Sequence, residues 1–197
     1  MIQQYWKQLI EVIQKISRKE VNALIDELFR LRDRNGRLFV IGVGGGAGNA
    51  SHAVNDFRKF CDIEAYAPMD NVSELTARIN DDGWNNAFWG CLAASKINSR
   101  DAVLVFSVGG GNYEKKISTN IIEAIKNAKK IGAKVFGIVG RDGGYTKKIA
   151  DVCVLIPTVN PLLVTPIVES MQAIIWHTIV FHPTLQVNQG KWESIKK

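Results

Sequence analysis

Two hydrophobic patterns alternate along the chain. Short apolar runs of five or six residues are typical of buried parallel strands, and they lie at 37–41, 63–67, 102–106, 134–139 and 152–156. Between them, apolar residues recur every three or four positions, which predicts amphipathic helices over 3–33, 49–60, 71–79, 83–97, 115–131 and 165–181. Five strands alternating with helices indicate an α/β fold, a parallel sheet between two helical layers.

The first predicted helix precedes the α/β pattern and ends at the turn signal Asn35-Gly36. A helical arm of this length has to be covered, either by a second subunit or by the chain's own sheet. We find no internal repeat, low-complexity segment or linker, so we expect a single domain. Its parts would be the arm (1–35), the α/β core (36–183) and a tail (184–197).

A glycine-rich loop, 42–48, follows the first predicted strand. Glycines allow backbone to approach a ligand closely, and Asn49 or Ser51 could cap the helix that comes next. Free N–H groups and the helix dipole at such a helix start favour an anion such as a phosphate.

The same loop also fits the dinucleotide fingerprint G-x-G-x-x-A at Gly42, Gly44 and Ala47, with acidic Asp62 and Glu64 downstream. Two features favour a sugar phosphate instead. A long helical segment precedes the strand, and a second glycine loop, 107–112, follows a later strand. Two loops at the carboxyl ends of parallel strands could grip a phosphate from both sides.

Two pairs of side chains are candidates for chemistry. His52 and Asp56 are four residues apart and share a helix face, and Glu169 and His177 are eight apart on the late helix. Each pair could exchange protons or hold a metal. Each could equally be structural, with a half-exposed helix histidine and a solvated acid in one pair, and a buried polar residue and a packing histidine in the other.

Composition narrows the functional classes. The net charge of +6 and the pI near 9.3 suit an anionic ligand, but the lysines are scattered and none of the basic runs is interleaved with aromatics, so we expect no nucleic acid partner. Cysteines occur only at Cys61, Cys91 and Cys153, without zinc-finger spacing, as in a reducing compartment. No signal-peptide or membrane-span pattern is present, which predicts a cytoplasmic protein.

Taken together, these motifs resemble the sugar isomerase (SIS) domain family, in its phosphoheptose isomerase branch. The loop Gly42–Gly46 is similar to the branch's G-N-G-G-S, and Asn80-Asp81 matches an Asn-Asp pair before a helix. Residues 107–112 correspond to S-T-S-G-N-S, and 139–144 to T-G-x-D-G-G. On the late helix, three residues hold the places of T-x-x-I-Q and a following histidine: Thr165, Glu169 and His177.

The resemblance implies a flavodoxin-like fold in a homotetramer, with a zinc ion and a phosphorylated sugar at subunit contacts. The implied zinc ligands are His52, Asp56, Glu169 and His177, with Asp56 as the base and His177 as the acid of an aldose–ketose isomerisation. The implied substrate and phosphate contacts are Gly44, Gly45, Gly46, Asn80, Asp81, Ser107, Gly109, Gly110, Gly111, Asn112 and Thr165.

The chain also departs from the branch. The serine of the first loop is Gly46, and of the serine- and threonine-rich second loop only Ser107 remains. Because those hydroxyls grip the phosphate in the branch, two hypotheses stay open. The chain is either an isomerase of sedoheptulose 7-phosphate, or a non-catalytic SIS protein that senses a sugar phosphate or acts as an adaptor for a protein partner.

Overall fold

A parallel five-stranded sheet forms the centre of the protein. The structure is a computed structural model that describes residues 2–192, 194 and 195. The strands are β1 (Leu38–Gly42), β2 (Ala65–Tyr66), β3 (Ala102–Ser107), β4 (Lys134–Val139) and β5 (Val152–Leu155), in the order β2-β1-β3-β4-β5. The predicted α/β class with five parallel strands is confirmed.

Helices cover both faces of the sheet. They are α1 (Ile2–Lys15), α2 (Arg18–Asp33), α3 (Gly45–Cys61), α4 (Val72–Asp82), α5 (Ala87–Ala94), α6 (Thr119–Lys130), α7 (Gly144–Ile149) and α8 (Val164–Val180). Alternate strand residues face opposite layers. Leu38 and Val40 pack in a core with α2, α3 and α8, whereas Phe39 and Ile41 pack in a second core with α5 and α6.

The predicted helix over 3–33 is wrong in one respect, because it is two helices broken at Ser17. The hydroxyl of Ser17 accepts a hydrogen bond from the N–H of Glu20 at 3.2 Å and caps α2. A serine with a glutamate three residues on is a helix-start signal that interrupts an otherwise continuous periodicity. α1 is thereby an arm of its own, with Ile2, Trp6 and Ile10 exposed.

Several predicted helix boundaries also need correction. Neither Asn49 nor Ser51 caps α3, because the chain enters that helix at Gly44, whose φ of 60° and ψ of −125° suit only glycine. Residues 80–82 of the expected polar turn form the last turn of α4, and Gly83, with φ +74°, is the residue that follows the helix. α5 therefore begins later than predicted.

Two further segments are more irregular than their patterns suggest. α6 starts at Thr119 because Asn112 and Ile117 pair their backbones and close the preceding segment into a hairpin-like turn. The second strand is only Ala65–Tyr66, at the edge of the sheet.

Arg32 on α2 connects two segments that are far apart in sequence. Its Nη1 donates to the carbonyl oxygens of Cys61 at 2.8 Å and Leu185 at 2.7 Å, and its Nη2 donates to that of Thr184 at 3.3 Å. Leu185 is fully buried in the core, so the start of the predicted tail is part of the fold. The predicted arm and tail also contain four residues that lie outside the described part of the chain: Met1, Glu193, Lys196 and Lys197. Among the helices described, none is long and apolar enough to cross a membrane.

Candidate functional site

A cavity of about 550 Å³ opens at the carboxyl ends of β1, β3 and β4. This is where ligands bind in open parallel sheets. Its lining comes from the second glycine loop, the segment after it, the turn after β4 and one residue of the first loop: Val43, Ser107, Val108, Gly109, Gly111, Asn112, Lys115, Ile117, Ser118, Arg141, Asp142 and Gly144.

The first residues of α7 hold the second glycine loop through hydrogen bonds to its carbonyl oxygens. The carbonyl oxygen of Gly110 accepts from both the N–H and the hydroxyl of Thr146, at 2.9 and 2.8 Å, and that of Gly111 accepts from the N–H of Tyr145 at 2.9 Å. The C=O and N–H of a trans peptide point in opposite directions. The N–H of Gly111 is therefore turned away from α7, and Gly111 lines the cavity. Such oriented N–H groups favour an anion.

Two cationic side chains line the same cavity. Arg141 lies beside the second loop, because a Cβ at Gly109 would be 3.5 Å from its Cδ, and Lys115 follows the loop. The Asp142 carboxylate is engaged in its own turn, where it accepts from the N–H of Gly144 at 3.1 Å. Guanidinium and ammonium groups beside the N–H of Gly111 suit a phosphate.

Sequence reasoning missed both cations. Lys115 is one of the scattered lysines and is exposed, but it also lines the cavity, which its sequence context did not indicate. Arg141 occupies the variable position of the turn directly after β4, with φ of +54°. A basic residue at the carboxyl end of a central strand was the signal that could have found it.

Ser107 and Asn112, both predicted to contact the phosphate, line the cavity and also shape the loop. The hydroxyl oxygen of Ser107 accepts from the N–H of Gly110 at 3.0 Å, and the side-chain oxygen of Asn112 accepts from the N–H of Lys115 at 2.8 Å. The predicted contacts Gly109 and Gly111 also line the cavity, and Gly110 lies between them in the loop.

The first glycine loop has a different role from the second. Of the residues before α3, only Val43 reaches the cavity, so Gly44, Gly45 and Gly46 are outside its lining. The N–H of Gly46 donates to the carbonyl of Val43 at 3.1 Å, and the N–H of Ala47 to that of Gly44 at 3.0 Å. Gly46 lets α3 pack on β3, since a Cβ there would be 2.7 Å from the carbonyl oxygen of Phe106.

The predicted contacts Asn80, Asp81 and Thr165 are away from the cavity lining. Asn80 and Asp81 lie exposed in the last turn of α4, where the amide of Asn80 donates to Asp81 at 2.8 Å. Thr165 is exposed in the first turn of α8. Their roles in ligand binding stay predictions.

A histidine–aspartate cluster, His52, Asp56 and His177, joins α3 to α8. The Nε2 atoms of His52 and His177 lie 3.6 and 3.3 Å from Oδ2 of Asp56. The Asp56 side chain is 5% exposed, whereas those of His52 and His177 are 56% and 44% exposed. A buried carboxylate thus lies beneath two imidazoles that solvent and ligands can reach.

Trp176 fixes the Asp56 carboxylate from the core side. Its Nε1–H donates to Oδ2 of Asp56 at 3.1 Å, and its ring stacks on Phe106 with centroids 5.7 Å apart. The other carboxylate oxygen accepts from the side-chain amide of Asn55 at 3.1 Å. A donor on each oxygen holds the carboxylate in a single orientation.

A second buried contact fixes the spacing of α3 and α8. Gln172 is fully buried; its amide donates to the carbonyl of Ile138 at 3.3 Å, and its oxygen accepts from Asn49 at 2.9 Å. Asn49 also donates to the backbone oxygen of Glu169 at 2.9 Å. Sequence analysis assigned Asn49 to a helix cap and did not single out Gln172, because only the fold brings their amides together.

The donor chemistry of the cluster suits a metal centre. One ligand atom from each of His52, Asp56 and His177 lies within 4.8 Å of the others. Two imidazole nitrogens and a carboxylate oxygen suit zinc, and three protein ligands leave a coordination position open, as in catalytic sites. The predicted fourth ligand, Glu169, is outside this group, and its carboxylate lies against Gly45 instead.

The cysteine thiols are poor candidates for chemistry. Burial raises the pKa of Cys61 to about 12 and the pKa values of Cys91 and Cys153 to about 11. The thiolate is the reactive form, so these residues serve packing.

Comparison with known proteins places the chain in a family. The sequence profile of the SIS domain matches residues 3–140. The chain is 27% identical over 178 residues to the phosphoheptose isomerase of Helicobacter pylori, covering 88% of this chain and 85% of that protein. It is 30% identical over 158 residues to a lincomycin biosynthesis protein of Streptomyces lincolnensis, covering 77% of this chain and 57% of that protein. The structure of a phosphoheptose isomerase from Neisseria gonorrhoeae superposes with a TM-score of 0.79 at 23% identity, over 91% of this chain and 94% of that one.

Proposed function

This chain belongs to the SIS domain family, and we propose that it is an aldose–ketose isomerase that acts on a phosphorylated sugar, sedoheptulose 7-phosphate. The observation that carries the proposal is the cluster His52, Asp56 and His177, with a buried carboxylate beneath two accessible imidazoles. The phosphoheptose isomerases among its relatives support the choice of substrate.

The substrate's phosphate would bind in the cavity. The turned N–H of Gly111 and the side chains of Arg141 and Lys115 supply its donors. They take the place of the loop hydroxyls that the branch has and this chain lacks. Ser107 keeps its O–H as a further donor, because its oxygen only accepts from the N–H of Gly110.

Asp56 and His177 would move the protons. Asp56 removes the proton from the carbon next to the carbonyl, while Nε2 of His177 donates a proton to the carbonyl oxygen, which gives a neutral enediol. Asp56 then returns its proton to the former carbonyl carbon, and His177 takes the proton from the other hydroxyl. Trp176 and Asn55 hold the carboxylate of Asp56 in place during both steps.

Zinc is the proposed cofactor, and His52, Asp56 and His177 would hold it. A nitrogen of His177 that binds the ion has no proton to donate, so the acid role of His177 applies to the zinc-free site. When bound, the ion would act as a Lewis acid that polarises the substrate's carbonyl oxygen. Glu169 is not part of this proposed ligand set.

We also propose a cytoplasmic homotetramer without a nucleic acid partner. α1 presents Ile2, Trp6, Ile10 and Ile13 to solvent, with exposed fractions between 48% and 68%. A row of large apolar side chains on one arm is typical of a covered surface. A monomeric mass in light scattering at micromolar concentration would contradict this part of the proposal.

A binding protein without turnover is the second candidate. The cavity retains cations and N–H groups, but its second glycine loop has one serine where the branch has several hydroxyls. Such a site could hold a sugar phosphate, as a sensor would, whether or not the cluster reacts.

A coupled assay with sedoheptulose 7-phosphate separates the two candidates. We expect turnover by the wild type and a loss of at least about 100-fold in kcat for Asp56→Asn, because the amide cannot act as a base. Calorimetric binding of the same sugar should persist in that variant. Binding by the wild type without turnover, with zinc present, would favour the sensor and overturn the isomerase.

A further inference from the structure

The cavity at the carboxyl ends of β1, β3 and β4 has an aliphatic wall, which the proposed phosphate contacts do not account for. The wall consists of Val43, Val108 and Ile117, which line the cavity together with the two cations. Val43 and Ile117 are 38% and 53% exposed, so packing inside the protein does not explain their position. Single exposed aliphatic side chains are common on protein surfaces, but several that converge on one cavity indicate a ligand.

The segment between the second glycine loop and α6 brings Lys115 and Ile117 to this cavity. Asn112 and Ile117 exchange both backbone hydrogen bonds, at 2.9 and 3.0 Å, and the side-chain oxygen of Asn112 accepts from the N–H of Lys115 at 2.8 Å. These bonds involve the backbone of Lys115 and Ile117 and not their side chains. The side chain of Ile117 can therefore be exchanged without loss of the turn.

Val43 and Arg141 lie on either side of the second glycine loop. Val43 directly follows β1, Arg141 lies two residues after β4, and β3 runs between these two strands. Neighbouring strands are about 4.8 Å apart, so the ends of β1 and β4 are separated by about 10 Å. A ligand that fills the cavity therefore meets a cation on one side and aliphatic carbons on the other.

The size and the wall of the cavity favour a ligand with a flat apolar group beside its phosphate. The cavity measures about 550 Å³, whereas a water molecule takes about 30 Å³ and a phosphate group a few times that volume. Sugar hydroxyls against the wall would lose hydrogen bonds to water, which costs free energy. The faces of a nucleobase are apolar, so their burial against the wall is favourable.

The charges of the cavity suit a single phosphate group. Lys115 and Arg141 supply two positive charges, which match the charge of a phosphate monoester at neutral pH. Asp142, also in the lining, would repel further phosphate groups. These charges favour a nucleoside monophosphate over a diphosphate or triphosphate.

We propose that the cavity also binds a purine nucleoside monophosphate, with its phosphate at the two cations and its base against the aliphatic wall. A purine is chosen because its larger ring system buries more apolar surface than a pyrimidine. The nucleotide and the sugar phosphate would use the same phosphate donors, so the nucleotide would act as a competitive regulator. The inference rests on the proposed function, whose phosphate site it shares.

AMP and ribose 5-phosphate test it, because they share the ribose and the phosphate and differ by the base. Their Kd values are measured by isothermal titration calorimetry with EDTA-treated protein. We expect the wild type to bind AMP at least about tenfold more tightly, which requires burial of about 55 Å² of apolar surface. The double variant Val43→Thr, Ile117→Thr makes the wall more polar at two exposed positions and should reduce this ratio to about threefold or less.

The double variant Val72→Thr, Ile131→Thr is the matched control. It makes the same two exchanges at exposed residues, the first of α4 and the one that follows α6, and it should leave the ratio unchanged. Equal affinities of the wild type for the two ligands, an unchanged ratio in the cavity variant or the same fall in both variants would overturn the inference alone.

Sedoheptulose 7-phosphate in the same titration separates the inference from the proposed function. A wild type that binds none of the three ligands would overturn both. Binding of AMP without binding of either sugar phosphate would overturn the proposed function, whereas the nucleotide site would stand.

Competition gives a second readout. In the isomerase assay, AMP should raise the apparent KM for sedoheptulose 7-phosphate and leave kcat unchanged. Arg141→Gln should weaken the binding of AMP and ribose 5-phosphate by the same factor, because both ligands would lose the same phosphate contact. A fall in kcat at unchanged KM, or an AMP affinity insensitive to Arg141→Gln, would place the nucleotide outside this cavity and overturn the inference.

Discussion

The indole of Trp176 donates to the carboxylate of Asp56 across 3.1 Å inside the core between α3 and α8. Trp176 is 1% exposed and Asp56 4% exposed, so water cannot reach either group to replace this hydrogen bond. This bond connects the packing of the sheet to the orientation of the proposed base.

Trp176→Phe should therefore affect both stability and catalysis. It leaves an acceptor of Asp56 without its buried donor and creates a small void, which together cost about 2–4 kcal/mol in the free energy of unfolding. We expect kcat to fall by about tenfold or more with KM little changed, as the carboxylate loses its fixed orientation. Urea unfolding and steady-state kinetics measure the two effects. Trp84→Phe, at a side chain 42% exposed, is the control and should change neither strongly.

Arg141→Gln should weaken phosphate binding. Loss of one charge-assisted contact raises the Kd for a sugar phosphate, or for inorganic phosphate as a probe, by about tenfold. The salt dependence of binding should also become shallower, because one cation fewer contributes. Arg30→Gln, on α2 with a side chain 63% exposed, is the matched control. Equal affinities for the two variants would mean that Arg141 lines the cavity without contacting the anion.

Two glycine-to-alanine changes should have opposite effects on stability. At Gly110, φ is +69° and a Cβ would overlap the carbonyl oxygen of Gly143, so we expect a loss of about 2 kcal/mol or more together with loss of anion binding. At Gly48, within α3, a Cβ would meet open space, and alanine should stabilise the protein by about 0.5–1 kcal/mol. Thermal unfolding of both variants measures the contrast. A stabilised Gly110→Ala protein would contradict the loop conformation described above.

Asp101 should make stability depend on pH. Burial alone would raise the pKa of Asp101, but the hydrogen bonds from the side chain and N–H of Arg37, and from the N–H of Asn98, outweigh it and lower the pKa. A carboxyl with a lowered folded-state pKa contributes stability above its unfolded pKa, and that contribution disappears as pH falls through the folded value.

Asp101→Asn should therefore cost about 2–3 kcal/mol at pH 7, the worth of lost hydrogen bonds to a charged group. The difference from the wild type should shrink as pH falls from about 4 towards 2. Urea unfolding across this range measures it, with Asp26→Asn, at an exposed residue of α2, as the control. A pH-independent difference would mean that the Asp101 charge contributes nothing.

Much of the fold could be predicted from the sequence, because the strands are apolar runs and β1, β3 and β4 are followed by glycine-rich loops. The run at 102–106 corresponds to β3, and its loop lines the cavity. Helix boundaries were harder to predict, because the polar residues Asn80 and Asp81 are typical of a turn although the chain is helical there. The break at Ser17 depends on a single side-chain bond within a continuous apolar periodicity.

The site was predictable where helix spacing alone decides which residues meet. His52 and Asp56 share a face of α3, and the packing of α8 adds His177. Spacing could not reveal that Glu169 turns towards Gly45, because that contact depends on the relative height of two helices. The two cations of the cavity could not be predicted from spacing either. Lys115 and Arg141 belong to separate loops, and only the fold brings both loops to one cavity.

The long-range hydrogen bonds of Arg32 also affect how the chain folds. Its guanidinium joins α2 to the backbone at Leu185, 153 residues later. A contact of such sequence separation requires closure of a long loop, which slows folding. During synthesis α2 emerges well before its partners at Leu185 and Thr184, which follow Arg32 by 153 and 152 residues. The side of α2 that these partners cover would therefore stay uncovered in the nascent chain until they are made.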